Sequence, residues 1–312
     1  MDELQWHLDR QKGIGGSDAS TVLGINPWKS RLQLYHEKVD EINPQIIESG
    51  NNNIRLKLGK ILEPLIAEEY YIKTGREIFS RSQKIHPDYS FMVGNIDREI
   101  AKSENNLPGI LEIKTRGAFV DWDGNEIPPY YHSQIQHYMA VYGYTWGSFA
   151  VLDFNKFEVT ITDVERDNAF IENLIEEEKK FWNLVINKTS PKVEPTKACE
   201  EFLREYFNQA EPITIDISDN IEATKYAEKL NHIKEHKKQL EESETECKTF
   251  FMNLIQNAEK AIGDGYTILW KNDKDSTKFD TEKFKFENPV IYKKYLEPKK
   301  GTRRFLTKFD KE

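Results

Sequence analysis

The spacing of apolar residues changes along the chain, and each spacing predicts a different kind of element. Residues 54–74 carry apolar side chains at helical spacing, which predicts a long amphipathic helix that kinks at Pro64 and ends at Gly75. From residue 90 the period falls to two, which predicts neighbouring strands over 90–101 and 109–115. The further predicted elements are a helix over 130–143, strands near 147–153 and 156–162, and a helix over 165–187 capped by Asp163. This order predicts an α/β fold, with a mixed α+β sheet flanked by helices rather than a doubly wound sheet.

The composition changes once, near residues 188–215, where prolines and polar turns separate two regions. We therefore predict one domain over residues 1–210 and a mainly helical C-terminal accessory region over residues 211–312. Apolar or neutral residues recur at heptad-like spacing in the accessory region: Tyr226, Leu230, Ile233, Leu240, Cys247, Phe251, Leu254 and Ala258. Lys237 and Glu244 interrupt that series, so we expect a long helical hairpin or a packed helix, followed by short strands and a basic tail.

The net charge of −9 is distributed unevenly along the chain. Residues 1–210 hold 33 acids and 24 bases and so carry all of it, whereas residues 211–312 hold 20 of each. An acidic domain repels nucleic acid unless metal ions lie among its carboxylates. DNA binding by residues 1–210 would therefore require an acidic metal site.

Cysteine content and hydropathy exclude several other classes of protein. Two cysteines, Cys199 and Cys247, cannot build a disulfide framework or a cysteine-rich zinc or iron–sulfur site. No apolar run approaches the ~20 residues of a membrane span, and the N-terminus has no apolar signal core. These features predict a soluble, cytoplasmic protein without a membrane partner.

The predicted strand GILEIKT, at residues 109–115, carries the main candidate chemistry. Side chains alternate along a strand, so Glu112 and Lys114 share one face, where they could simply form a solvated salt bridge. A hairpin with the preceding strand, however, would bring Asp97 near Glu112. Two carboxylates beside a lysine are costly unless a divalent cation lies between them, and Mg²⁺ prefers such oxygen ligands. We therefore predict a phosphodiesterase centre in which Lys114 orients the attacking water or helps to deprotonate it.

Three further segments allow both a structural and a functional interpretation. Glu63, just before Pro64 on an apolar stretch, either favours a helix dipole or brings a third carboxylate to the metals. Arg10 precedes the small residues GIGGSDA, which most often form only a turn, although backbone N–H groups and the Ser17 hydroxyl there suit a phosphate. In the predicted helix over 130–143, core packing explains the aromatic residues but not Gln134.

The order of these motifs resembles the YqaJ-like viral recombinase nucleases, in the lambda exonuclease branch of the PD-(D/E)XK superfamily. The resemblance runs from about Arg10 to about Phe154, through GIGGSDASTVLGINPWKSRLQLYHEK, GKILEP, YYIKTG, FMVGNIDREI, GILEIKT and IPPYYHSQIQHYMAVYG. It implies a restriction-endonuclease-like core. Ile96 stands where the lambda branch has a proline before the first Asp, and residues 211–312 have no counterpart in the compact lambda enzyme.

The resemblance also implies a role for each candidate residue. The implied metal ligands are Glu63, Asp97, Glu112 and the backbone carbonyl of Ile113. The implied catalytic residues are Glu112, Lys114 and Gln134. The implied ligands of the DNA 5′-phosphate are Arg10, Ser17 and Asn95, with Arg116 a looser candidate.

The function implied by the resemblance is a Mg²⁺-dependent deoxyribonuclease, with Mn²⁺ able to substitute and one or two ions bound. It would degrade linear double-stranded DNA from 5′ to 3′ and leave 3′ overhangs for a RecT-like single-strand annealing protein. A homo-oligomer is implied, as a ring trimer by analogy. Two alternatives stay open: a structure-specific or nicking endonuclease with the same metal centre, and an inactive nuclease fold that serves as a DNA-binding recombination adaptor. Arg10 and Ser17 facing the metal centre would favour the exonuclease.

Overall fold

A mixed β-sheet lies in the first of two units, Met1–Tyr206 and Phe207–Glu312. The computed structural model describes residues 3–42, 54–101, 107–117, 122, 126–299 and 301–309. The helices described in the first unit are α1 (Glu3–Gln11), α2 (Gly16–Val22), α3 (Arg31–Val39), α4 (Ile54–Thr74), α5 (Pro129–Tyr142), α6 (Asn168–Ile186) and α7 (Lys197–Tyr206). Its described strands are β1 (Ile14–Gly15), β2 (Ile78–Phe79), β3 (Lys84–Ile85), β4 (Met92–Gly94), β5 (Arg98–Ile100), β6 (Gly109–Arg116), β7 (Trp146–Asp153) and β8 (Glu158–Glu165).

The larger sheet has five strands in the order β2-β5-β6-β7-β8 and is antiparallel except for the β6–β7 pair. Helix α5 lies in the crossover that a parallel pair requires. It covers one face of the sheet, where Ile135 and Met139 join Ile110 in the core, and α4 covers the other face. Because side chains alternate along β6, Glu112 and Lys114 lie on the same face as Ile110. The predicted α/β class, with a mixed sheet between helices, is confirmed.

Most of the other predicted elements of the first unit form close to their predicted positions. Helix α4 contains Pro64 and is followed by Gly75, whose φ of +67° ends it. Helix α6 begins later than predicted and is capped by Asp167, whose carboxylate accepts a hydrogen bond from Phe170 N at 3.0 Å. The predicted cap, Asp163, lies within β8 instead, because β8 pairs with β7 as far as Glu165.

The single strand predicted over 90–101 is wrong, because this segment is divided between two sheets. Residues Met92–Gly94 form β4, in a small sheet of order β1-β4-β3, whereas Arg98–Ile100 form β5 of the larger sheet. Between them the chain leaves one sheet and enters the other, and there the Asp97 carboxylate accepts a hydrogen bond from Ile113 N at 2.7 Å. The break therefore places an acidic side chain against the middle of β6.

The second unit begins with one continuous helix, α8 (Ile221–Ile255). A hairpin of β9 (Lys260–Gly263) and β10 (Tyr266–Leu269) follows, and then α9 (Thr281–Glu287) and α10 (Pro289–Lys294). The expected helical hairpin is wrong for the described residues. The expected packing is wrong as well, since most of the heptad-spaced side chains are exposed: Tyr226, Ile233, Leu240 and Leu254 among them. Across both units, the helices of the described ranges include none long and apolar enough to cross a membrane.

Candidate active site

Three polar side chains meet on the face of the larger sheet that α5 covers. Glu112 and Lys114 extend from β6, as the strand alternation predicts, and Gln134 extends from α5. The Glu112 Oε1 atom accepts hydrogen bonds from Lys114 Nζ at 2.7 Å and from Gln134 Nε2 at 2.6 Å. Lys114 Nζ also donates to Gln134 Oε1 at 3.1 Å, so each side chain is held by the other two.

Asp97 reaches the same place from the connection between β4 and β5. Its hydrogen bond to Ile113 N sets the carboxylate against β6, at the residue between Glu112 and Lys114. Burial raises the pKa of Asp97 above its usual value, and the charge of Lys114 opposes that rise. The four side chains Asp97, Glu112, Lys114 and Gln134 are called the carboxylate cluster below.

The carboxylate of Glu112 is in an unfavourable environment for a negative charge. Its residue is only 2% exposed, and one of its oxygens, Oε2, is buried without a hydrogen-bond partner. Burial, followed by the charge of Asp97, raises the pKa of Glu112 to about 8, although Lys114 opposes the shift. Burial would lower the pKa of Lys114, but the charges of Glu112 and Asp97 outweigh it and raise that pKa. Lys114 is therefore an ammonium donor at neutral pH, which favours the orienting role over the deprotonating one.

The oxygen atoms of the carboxylate cluster fit a divalent cation. A positive ion would give the buried Oε2 atom of Glu112 a partner, and it would offset the charge of Asp97 that raises the pKa of Glu112. Mg²⁺ commonly takes only one or two protein carboxylates and completes its octahedron with water and phosphate oxygens. The described residues include no group of three or more His, Cys, Asp or Glu side chains arranged to hold a metal. The side chains that could bind a cation here are Asp97 and Glu112, and the Ile113 carbonyl could supply a further oxygen.

Glu63 lies near the carboxylate cluster but is engaged by a different partner. Its Oε1 atom accepts a hydrogen bond from Arg98 Nη1 at 2.6 Å, and the same nitrogen donates to the Asp97 carbonyl at 2.5 Å. After burial, the charge of Glu63 is among the causes that raise the pKa of Asp97 and of Glu112. Glu63 is thus within electrostatic reach of both carboxylates, and it would have to leave Arg98 to bind an ion beside them.

A pocket beside the carboxylate cluster contains the three main residues predicted for the 5′-phosphate. Arg10, Ser17 and Asn95 all line it, and Arg10 Nη2 donates to Ser17 Oγ at 3.2 Å. Tyr138 lines it too, and its hydroxyl accepts a hydrogen bond from Gln134 Nε2 at 3.4 Å. This cavity, called the anion pocket below, is therefore joined to the carboxylate cluster through one tyrosine.

A buried ion pair lies under the anion pocket. Asp18 accepts from Arg10 Nη2 at its Oδ1 and from Lys38 Nζ at its Oδ2, each at 2.8 Å. Lys38 Nζ also donates to the Arg10 carbonyl at 2.7 Å. Burial opposes ionisation of Asp18, but the charges of Lys38 and then of Arg10 hold its pKa well below the usual value. Asp18 thus has a cation at each of its two oxygens, and one of these cations, Arg10, also lines the pocket.

The role of Lys38 was missed by sequence reasoning, although a signal for it exists. Lys38 follows Leu34 by four residues and so lies on the buried face of α3. A lysine on the apolar face of a helix is costly unless an anion is paired with it. The Asp of the GIGGSDA segment is that anion, but nothing in either local pattern connects the two.

The looser candidate Arg116 and the buried His137 have partners away from the carboxylate cluster. Arg116 Nη2 donates to Asp153 Oδ2 at 2.8 Å, and Arg116 is not among the described residues that line the anion pocket. His137 is fully buried, and its ring nitrogens lie 2.8 Å from Glu178 Oε1 and 3.1 Å from Val93 O. The histidine thus connects α5 to α6 and β4, whereas Gln134, one turn earlier, faces the cluster.

Comparison with known proteins assigns the chain to a family. Residues 5–145 match the model of the YqaJ-like viral recombinase domain. The uncharacterized protein YqaJ of Bacillus subtilis (strain 168) is 32% identical over 304 residues, which cover 94% of this chain and 91% of that protein. This chain belongs to the YqaJ-like viral recombinase family. Because the match covers 94% of the chain, the relative also shares the second unit.

Two solved structures resemble this YqaJ-like protein more distantly. The alkaline exonuclease LHK-Exo of Laribacter hongkongensis is 20% identical, with a TM-score of 0.46 over 65% of this chain and 97% of its own. A phage-related exonuclease from Haemophilus somnus 129PT is 13% identical, with a TM-score of 0.35 over 57% of this chain and 96% of its own. The family assignment rests on the sequence matches and not on these structures.

Gly16→Ala is expected to damage the site of this YqaJ-like protein through Tyr138. A Cβ atom at residue 16 would lie 2.5 Å from Tyr138 Cε1, so the buried ring would have to shift, which would disturb its hydrogen bond with Gln134. Overpacking of this kind costs about 1–3 kcal/mol of stability. The control is Gly59→Ala, because a Cβ there meets nothing within 4 Å, and alanine in a helix is preferred over glycine. Urea unfolding should separate the two variants, and equal stability would contradict the packing described.

Proposed function

We propose that this YqaJ-like protein is a divalent-metal-dependent deoxyribonuclease that degrades one strand of linear duplex DNA from its 5′ end. The observation that carries the proposal is the junction at Tyr138, which lines the anion pocket and contacts Gln134 of the carboxylate cluster. A terminal phosphate held by Arg10 and Ser17 would bring the first nucleotide of a strand next to the cluster. An endonuclease with the same carboxylate cluster would not need a pocket for a terminal phosphate beside that cluster.

The metal would be bound by Asp97, Glu112 and the Ile113 carbonyl, as one or two ions of Mg²⁺ or Mn²⁺. When bound, such an ion polarises a phosphodiester and lowers the pKa of a coordinated water. Gln134 holds Glu112 in position, and the Lys114 ammonium orients water and stabilises negative charge on the phosphate.

Glu63 is the candidate ligand for a second ion. Its present partner, Arg98, is a cation that a DNA phosphate could attract in place of the carboxylate. Release of Glu63 would then add a third carboxylate to the metal site. Binding of the second metal ion would then depend on the binding of DNA.

Digestion from the 5′ end leaves a 3′ overhang, which is the kind of strand that a RecT-like annealing protein would take. The first unit is acidic, so contacts with the phosphate backbone alone would hold DNA weakly. A ring-shaped homo-oligomer, a trimer by resemblance, would keep the duplex in place without a basic surface. We propose that the protein forms such a ring and supplies its product to an annealing partner of this kind.

The proposal is tested with two DNA substrates in the presence of Mg²⁺. One is linear duplex DNA with 5′-phosphates, and the other is a covalently closed circle. We expect progressive loss of one strand of the linear DNA, an intact circle, and no reaction in EDTA. Nicking of the circle would contradict the exonuclease and indicate an endonuclease. Binding of both substrates without cleavage would indicate the recombination adaptor.

Arg10→Ala is expected to remove the preference for 5′-phosphorylated ends. A charge-assisted hydrogen bond to a phosphate contributes about 1.5–3 kcal/mol, so cleavage of 5′-phosphoryl ends should slow by about ten- to a hundredfold. Cleavage of 5′-hydroxyl ends should change little, because such an end has no terminal phosphate for the guanidinium to bind. Arg204→Ala, which removes an exposed arginine paired with Glu200 on α7, is the control. Equal losses on both kinds of end would remove Arg10 from the phosphate site.

A further inference from the structure

A row of aromatic rings leads from the carboxylate cluster to the protein surface. Lys114 Nζ lies over the ring of Tyr131, 5.0 Å from its centroid. The Tyr131 ring meets Tyr130 at 4.6 Å, and the Tyr130 ring meets Trp28 at 4.9 Å. The outermost ring, that of Trp28, is 63% exposed. The row Trp28–Tyr130–Tyr131 is called the aromatic row below.

Trp28 is exposed although its loop is held firmly in place. Asn26 Oδ1 accepts hydrogen bonds from Trp28 N at 2.9 Å and from Lys29 N at 3.2 Å. The Asn26 amide in turn donates to Thr21 Oγ1, at 3.0 Å, on the buried helix α2. An exposed tryptophan forgoes the free energy that burial of its ring would provide. A tryptophan presented to solvent from an anchored loop is therefore suited to a binding surface.

The geometry of the row leaves room for one more ring. The Trp28 and Tyr130 planes make an angle of 74°, so their contact is edge to face and covers at most one face of the indole. Among the described residues, Trp28 has no other ring partner within stacking distance. At least one flat apolar face of Trp28 is thus open to solvent at the end of the row.

We propose that the aromatic row binds unpaired nucleobases of the DNA strand that enters or leaves the carboxylate cluster. Each link in the row spans 4.6–5.0 Å, so the open face of Trp28 lies within about four stacked nucleotides of Lys114, at ~3.4 Å per base. Every base has a π-face, so stacking on Trp28 is independent of base sequence. A row that begins at the site of strand cleavage is suited to an unpaired strand and not to a protein partner. This inference rests on the proposed nuclease function.

The test measures whether binding depends on bases rather than on the DNA backbone. The probe is a duplex with a 5′-phosphate and four unpaired nucleotides at that end, labelled with fluorescein at the far 3′ end. A second probe carries abasic residues at the same four positions. Fluorescence anisotropy with the full chain in EDTA gives both dissociation constants without cleavage. Base stacking on one aromatic ring should make wild-type binding to the first probe about tenfold tighter than to the second.

Substitutions at residue 28 decide whether Trp28 is responsible. Trp28→Ala and Trp28→Leu should bring the ratio of the two dissociation constants close to one, because neither side chain has an aromatic plane. Trp28→Phe should keep most of the ratio, which also shows that the loop remains folded. The matched control is Phe157→Ala, which removes an 84% exposed aromatic side chain from the β7–β8 turn and should leave the ratio unchanged.

The outcomes separate this inference from the nuclease proposal. A wild-type ratio of one, or a ratio that survives in Trp28→Ala, overturns the aromatic row as a nucleobase site even if the protein cleaves linear DNA in Mg²⁺. A ratio lost equally in Phe157→Ala overturns it as well. Base-dependent binding that requires Trp28, in a protein that cleaves no DNA, would keep the row and reject the nuclease.

Discussion

Glu112→Gln is expected to lower DNA cleavage by about 10³-fold or more and, at the same time, to stabilise the metal-free protein. The loss of activity follows because an amide cannot replace a carboxylate as a metal ligand beside Asp97. The gain in stability follows because burial and the charge of Asp97 raise the pKa of Glu112 to about 8, so at neutral pH the unfolded chain ionises this group more readily than the folded protein does. A neutral side chain of the same shape removes that advantage of the unfolded state.

Two measurements check this pair of effects. Cleavage is followed on 5′-phosphorylated linear DNA, and thermal unfolding is followed in EDTA and again with Mg²⁺. Mg²⁺ should raise the unfolding temperature of the wild type but not that of Glu112→Gln. Glu158→Gln, at the exposed start of β8, is the matched control and should behave as the wild type. Cleavage close to the wild-type rate, or a metal-dependent rise that persists in Glu112→Gln, would mean that the metal is bound elsewhere.

Lys38→Met is expected to destabilise the protein by about 3–5 kcal/mol and to weaken the preference for 5′-phosphorylated DNA. The side chains of Lys38 and Asp18 are almost completely buried, and removing the ammonium leaves an ionised carboxylate with Arg10 as its ion-pair partner and Lys29 as a weaker cationic influence. The variant removes one positive charge beside the anion pocket and keeps the Asp18 carboxylate, so the pocket should attract a phosphate less strongly.

A second variant separates stability from charge at the anion pocket. Asp18→Asn combined with Lys38→Met removes both buried charges, together with the ion pair between Asp18 and Arg10. We expect the double variant to recover much of the stability and of the phosphate preference that Lys38→Met alone loses. Lys248→Met, which breaks an exposed pair with Glu244, should cost less than about 1 kcal/mol. Additive losses in the double variant, measured by urea unfolding, would contradict the charge balance proposed.

Local patterns in the sequence predicted the first unit well where the deciding contacts are close along the chain. The period of two over residues 109–115 predicted that Glu112 and Lys114 share one face of a strand. In β6 the two side chains are hydrogen-bonded to each other on one face. The apolar spacing of residues 54–74 and the glycine after it predicted α4 and its end. Both features depend on side-chain direction and backbone conformation within a few residues, so they are readable without the fold.

The same patterns failed where strand pairing decided the structure. The alternation of residues 90–101 continues through the point at which the chain changes sheets, so periodicity did not reveal the break before Asp97. Asp163 and Asp167 are both suitable caps, and only the pairing of β8 with β7 assigned the role to Asp167. In the second unit, heptad spacing predicted a packed partner for α8, yet most of the heptad-spaced residues are exposed.

The sequence by itself determined which chemistry this protein could carry, because the acids, the lysine and the glutamine of the carboxylate cluster stand in short motifs of a recognisable order. Only the tertiary structure decided how these groups are charged and joined. Tyr138 links the anion pocket to Gln134, and Lys38 neutralises Asp18 across 20 positions of sequence. Trp28 and Tyr130 meet although about a third of the chain separates them. Charge pairing and ring contacts depend on distances in space between residues that are far apart in the sequence. The local sequence pattern therefore cannot predict them.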